Sequence, residues 1–140
     1  MKEFDYFIKK GDVRKQEINK NLASALIKSS NKILLFVKKL EVNDDNAEHI
    51  VQDCYDVIRL LIETKLARDG FKSYSHEATI SFLLKFPEFN EQEIEFLDML
   101  RRTRNGIKYY GKESNENEAK ITLDFTFKFI PKLNKILNLT

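Results

Sequence analysis

The chain is poor in the residues that staple or punctuate a fold. Its 140 residues include one cysteine, two prolines, four glycines and no tryptophan. A single cysteine, Cys54, excludes an intramolecular disulfide, and its apolar helical surroundings mark it as core filler. So little Gly and Pro leaves few turns for an all-β fold, so composition favours helices. No apolar run approaches the ~18 residues of a membrane span. The N-terminus, MKEFDYFIKKG, has no signal-peptide core. The expected setting is therefore the cytoplasm, with no membrane partner. There is no Cys/His cluster at metal-ligand spacing, no Gly-rich phosphate loop and no hydrolase-type Ser motif, so neither a metal nor a cofactor is expected. Charge of one sign is also lacking. With 24 Lys and Arg against 22 Asp and Glu, the formal net charge of +2 is too small to imply a polyanion partner. Any such function must rest on local clustering.

What is present describes one charge-rich helical domain over residues 1–140, large enough for a hydrophobic core. An aromatic-rich lead-in (Phe4, Tyr6, Phe7, Ile8) stops at Gly11. Ile18, Leu22, Ala25, Leu26, Ile33, Leu34, Val37 and Leu40 then recur at three- and four-residue spacing, which predicts an amphipathic helix over about 13–40. Asn43 to Asn46 supplies a turn and an N-cap. The next helix carries Ile50, Val51, Cys54, Val57, Ile58, Leu61, Ile62 and Leu66, with Gly70 as its stop. Ser75 caps a shorter helix that ends before Pro87. Asn90-Glu91-Gln92-Glu93 reads as a capping box opening a helix through about Tyr110. A polar loop over 111–117 follows. The segment 118–138 reads as a helix kinked at Pro131 rather than a lone strand. The expected fold is all-α, an antiparallel up-and-down bundle of four to five helices.

The local charge excess lies in Leu100-Arg101-Arg102-Thr103-Arg104-Asn105-Gly106-Ile107-Lys108-Tyr109-Tyr110-Gly111. At 100° per residue, Phe96, Leu97, Leu100 and Ile107 form the apolar stripe, and Arg104 falls at its edge. A guanidinium there needs a carboxylate, carbonyl or phosphate to meet it. Asn105 and Tyr109, four residues apart, can place an amide beside a phenol. Such donors suit a phosphodiester. Against this, helix arginines usually form surface ion pairs, and Glu91, Glu93, Glu95 and Asp98 are near. Spacing alone favours that solvated face. Gly106, costly in mid-helix by about 0.5–1 kcal/mol, points to close approach by another backbone or a ligand.

Arg104-Asn105 followed at Tyr109 by an aromatic resembles the signature of the HEPN domain family, which has Arg, four to six residues, then His, commonly with a polar residue directly after the Arg. Ile58-Arg59-Leu60-Leu61-Ile62-Glu63, the stop at Gly70 and Ser75-His76 are similar to the family's long helix and the opening of its next one. Phe7-Ile8-Lys9-Lys10-Gly11 is similar to small archaeal members. The resemblance covers most of the chain and implies a homodimeric helical bundle associated with RNA, of toxin–antitoxin or defence type. Family members that cleave RNA are thought to join the Arg and His of two protomers in one composite site. By this resemblance Arg104, Asn105 and Tyr109 are the candidate catalytic residues. Arg101, Arg102 and Lys108 are candidate phosphate ligands, while Glu63 or Asp56 would pair with Arg104. Tyr110 lies near a tyrosine that a partner nucleotidyltransferase modifies in some toxin members. The departure is Tyr109 at the motif His position: a phenol titrating near 10 is a poor general base. His76 reads first as a capping or packing residue and His49 as solvent-facing. The resemblance therefore implies a degenerate metal-independent endoribonuclease, with two alternatives: a non-catalytic homodimerising module, or a partner of a minimal nucleotidyltransferase acting as antitoxin.

Overall fold

Side-chain caps and glycine stops set the helix ends in the computed structural model, which describes residues 1–139. In order these are α1 (Phe4–Lys10), β1 (Val13–Lys15), α2 (Lys20–Lys38), α3 (Ala47–Asp69), β2 (Phe71–Ser73), α4 (His76–Ser81) with a 3-10 turn over Phe82–Lys85, α5 (Glu91–Tyr110) and α6 (Glu116–Ile136). Asn90 and Glu93 form the reciprocal capping box at the start of α5, and the Asn115 and Ser75 side chains cap α6 and α4. Gly70 ends α3 in the left-handed region at φ 82°.

The four long helices make an all-α, up-and-down bundle. Asn19 N–H donates to the Ala67 carbonyl, placing the start of α2 beside the end of α3. Glu93 at the start of α5 meets Lys132 near the end of α6 at 2.7 Å. The starts of α3 and α6 are tied by Glu116 N–H to Asp44, and their ends by Arg68 to the Leu137 carbonyl. The helix α3 is central, packing on α2, α5 and α6. It is accordingly buried on several sides, at Ile50, Val51, Cys54, Tyr55, Val57, Ile58, Leu61 and Ile62. Removing so much apolar surface from water is the main force holding the bundle, at roughly 1.5–3 kcal/mol per large side chain.

The structure departs from the sequence expectations at both ends of the chain. The lead-in is a helix in its own right, α1, anchored by Phe4 against Phe82 with ring centroids 4.9 Å apart. The helix expected over 13–40 begins only at Lys20. Residues Val13–Lys15 instead pair antiparallel with Phe71–Ser73, Val13 opposite Ser73 and Lys15 opposite Phe71. Ile18, expected in the core, lies in the connection and is 60% exposed. The helix count rises to six. Pro131 sits inside α6, which continues as one helix to Ile136, and the polar loop before it is shorter than expected because Asn115 already caps α6.

Candidate functional site

The helix α5 presents its arginine segment to α3 on one side and to α4 on another. Arg104 is 4% exposed, deeper than the edge position the helical wheel gave it. Its Nη2 donates to Asp56 Oδ1 of α3 at 3.4 Å, its Nη1 donates to Asn105 Oδ1 at 3.1 Å, and its guanidinium lies 5.6 Å from the centre of the Tyr55 ring. The carboxylate and the π-face offset the cost of burying the charge. Arg104 Nε stays buried without a hydrogen-bond partner.

Asp56 also meets Arg59 Nη2 at 3.6 Å. Glu63 does not support Arg104. It is taken by Arg59, one turn before it on α3, at 3.0 Å. Nor does a second backbone come close to Gly106 among the described residues. The space a Cβ would enter is filled by the Lys112 side chain.

Beside Asn105 lies an open depression lined by Ser75, His76 and Glu77 of α4 and its cap and by Arg101, Asn105 and Tyr109 of α5. The bond from Arg104 to Asn105 Oδ1 fixes the amide orientation. The Asn105 Nδ2 makes no hydrogen bond among the described residues and is not among the buried unpaired atoms, so its hydrogens stay available as donors. Arg101 spends its Nε on Asp98 at 2.9 Å, and its two Nη groups make no hydrogen bond among the described residues. Tyr109 is 62% exposed at the rim. The ammonium of exposed Lys108 lies 5.5 Å from the centre of the Tyr109 ring.

The remaining arginine-segment residues lie elsewhere. Arg102 shares Asp98 with Arg101 and faces a neighbouring groove lined by Glu77, Glu95 and Asp98, an acidic setting unsuited to phosphate. Tyr110 is 79% exposed and lies outside the depression.

Sequence reasoning set His76 aside and did not single out Tyr55; the fold brings the two together. His76 stacks near Tyr55 with ring centroids 5.9 Å apart, and its Nδ1 is 3.3 Å from the Tyr55 hydroxyl. Burial first, then Arg59 and Arg104, lowers the His76 pKa from 6.5, with Asp56 opposing and Arg101 adding to the fall. Burial also pushes the Tyr55 phenol well above its ordinary value, so it stays protonated. On the same side of α3, Asp53 is raised by burial and by the Asp56 charge. The sequence signals were Ser75-His76 at a helix start and Tyr55-Asp56 with Arg59 one turn on, but neither shows which helix they face. Among the described residues no group of His, Cys, Asp and Glu is arranged to hold a metal ion.

No family model, no curated protein and no solved structure matches this chain. What the site can do is therefore read from its chemistry: it collects amide, guanidinium, imidazole and phenol groups in one open depression. Apart from Glu77, these are groups that donate to an anionic oxygen. No helix is long and apolar enough to cross a membrane.

Proposed function

We propose that this is a HEPN-type, RNA-associated helical domain whose depression between α4 and α5 grips a phosphodiester of single-stranded RNA. The observation that carries the reading is the shared lining by Arg101, Asn105, Tyr109 and His76, with buried Arg104 bonded to Asn105. Arg101 and Asn105 would meet the phosphate oxygens, with exposed Lys108 beside Tyr109 adding long-range attraction. Tyr109 would orient the strand. Buried Arg104 acts here by holding Asn105 in register, a positioning role rather than direct contact. Any cleavage would proceed without metal, the 2′-hydroxyl attacking phosphorus and Arg101 and Asn105 offsetting the charge that develops on the phosphorane. The test is fluorescence anisotropy with a short 2′-O-methyl RNA at increasing salt. The expected result is binding that weakens with salt and falls at least about tenfold, or ~1.4 kcal/mol, in the Arg101→Ala/Asn105→Ala pair. Salt-insensitive binding, or binding indifferent to the pair, overturns the reading.

A non-catalytic homodimerising module is the second reading, favoured by exposed Met99 and Ile121 in a groove between α5 and α6 that mixes these and Phe96 and Leu100 with polar Thr103, Asn115, Asn117, Glu118 and Thr122. In that version Arg104 would not tie two chains together, because its contacts close within one chain. A dimer in sedimentation that Ile121→Glu dissociates, with no RNA binding, would favour it.

A further inference from the structure

Cleavage through a 2′-hydroxyl needs a group able to take a proton near neutral pH, and α5 carries no such group at the depression. A phenol keeps its proton at neutral pH and is a poor general base. Of the two histidines, His49 is exposed in the first turn of α3 and does not line the depression. His76 does, contributed by a different helix from the arginines.

We propose that His76 is the proton-transfer group of this site, a catalytic residue that takes the 2′-hydroxyl proton of single-stranded RNA, with Tyr55 as its positioning residue. The inference rests on the RNA reading of the same depression. Three features carry it. The first is location, on the wall opposite Arg101, Asn105 and Tyr109. The second is orientation. The Tyr55 hydroxyl, 1% exposed as a residue, has His76 Nδ1 as its one hydrogen-bond partner among the described residues. A hydroxyl can donate to a bare Nδ1 or accept from Nδ1–H, so the contact survives a change of protonation. The third is access. His76 Nε2 makes no hydrogen bond within the described protein and is not among its buried unpaired atoms, so it reaches solvent.

The surrounding charges set the resting state. On α3 these are Arg59 and Asp56 beside neutral Tyr55, on α5 Arg101 and Arg104, and on α4 itself Glu77. Burial and the three guanidinium groups keep the imidazole neutral, ready to accept a proton. A phosphodiester seated against Arg101 adds the opposite charge and makes the imidazolium easier to form. In the step, Nε2 takes the 2′-hydroxyl proton, the O2′–P bond forms and the P–O5′ bond breaks. The O5′ leaving group takes a proton from water, and the hydroxide left behind takes the imidazolium proton. The products are a 2′,3′-cyclic phosphate and a 5′-hydroxyl, with His76 restored.

The experiment compares wild type, His76→Ala and His49→Ala on unmodified single-stranded RNA, with 2′-O-methyl RNA as a binding probe that cannot react. Expected is a loss of about 10²–10⁴-fold in cleavage for His76→Ala, rescue by added imidazoles at rates that follow their pKa, and near-normal binding of the probe. His49→Ala, outside the depression, should keep cleavage within about threefold on the same scale. Wild-type cleavage by His76→Ala, or a loss that imidazoles do not rescue while the probe still binds, overturns the proposal. If wild type binds the probe but leaves RNA intact, His76 has no proton-transfer role and the binding reading stands. If the probe does not bind at all, both fall. Should His76→Ala fail to fold, NMR titration of the wild-type histidines carries the test. Probe binding should raise the His76 midpoint and leave His49 in place, and an unmoved His76 overturns the proposal.

Discussion

Arg104 of α5 and Asp56 of α3 are paired at 3.4 Å, and the pair is lopsided: the arginine side chain is 5% exposed, the carboxylate 26%. Asp56 has a second cation in Arg59 at 3.6 Å, whereas Arg104 has no second carboxylate among the described residues. The two residues therefore stand in different positions if the partner is lost.

Removing Asp56 strands a buried guanidinium. Asp56→Ala should cost about 3–5 kcal/mol, the usual range for breaking a buried pair from one side. Arg104→Met keeps most of the volume and leaves Asp56 with Arg59 and water, so its cost should stay below about 1.5 kcal/mol. Arg102→Ala, at an exposed ion pair, should fall within about 0.5 kcal/mol of wild type. Urea unfolding of the three variants checks the order. Equal costs for Asp56→Ala and Arg104→Met would show that the asymmetry of burial does not govern the pair.

His76 predicts a pH dependence of stability with a definite sign. Its folded pKa is lowered from 6.5, first by burial and then by Arg59 and Arg104. Between the lowered value and 6.5 the unfolded chain binds more protons than the folded one, so stability rises with pH across that window. Above 6.5 both states are neutral at this group and no penalty remains. Below the folded pKa both are protonated, and the penalty is at its full size. His76→Gln should remove that slope from the unfolding free energy measured between pH 5 and 7 in a series of urea titrations. A slope unchanged by the substitution would assign the pH dependence to other groups.

Cys54 offers a site-specific report of opening. Burial pushes its thiol up to about 11, with a hydrogen bond to Thr126 working the other way. Since the thiolate is the reactive form, alkylation of native protein at pH 8 should be at least ~10²-fold slower than of the unfolded chain. As the single cysteine, it makes labelling in rising urea trace exposure of the α3 core alone. Fast labelling without denaturant would mean that α3 opens locally.

The features legible in the sequence are those decided within one turn of chain. The Asn90–Glu93 box, the Ser75 cap and the Gly70 stop need only their neighbours, and each stands where the sequence places it. The β1–β2 pairing was not legible, because Val13 and Ser73 are far apart in sequence and three residues are too few to show a period of two. The helical wheel put Arg104 at the edge of the apolar stripe because a wheel weighs one helix alone, whereas burial depends on how closely α3 approaches. Asp56 and Glu63 were equal candidates to meet Arg104, being seven residues apart on one face. Arg59, lying between them, meets Glu63 at 3.0 Å and Asp56 at 3.6 Å, and of the two carboxylates it is Asp56 that also reaches Arg104. His76 gave the weakest signal, since its meeting with Tyr55 exists only once α4 packs on α3.

Two glycines should respond in opposite directions to the same substitution. At Gly70 the backbone is left-handed with φ 82°, and an added Cβ would stand 2.9 Å from the Gln16 carbonyl oxygen. That carbonyl belongs to the backbone beside β1, and Gln16 N–H donates to the Gly70 carbonyl at 2.8 Å, so neither atom can retreat without breaking the junction. The left-handed conformation alone costs a side-chain-bearing residue roughly 1–2 kcal/mol, and the clash adds to it, so Gly70→Ala should destabilise by at least about 2 kcal/mol. At Gly106 the backbone is helical, and the nearest atom to an added Cβ is Lys112 Cδ at 3.0 Å, on a long side chain that can swing outward. There the gain in helix propensity governs, and Gly106→Ala should stabilise by about 0.5–1 kcal/mol. Thermal unfolding of the two variants gives the signs directly. A destabilised Gly106→Ala would mean that Lys112 is held in place by something its flexibility does not reveal, and the mid-helix glycine would then need the close-approach explanation the sequence first suggested.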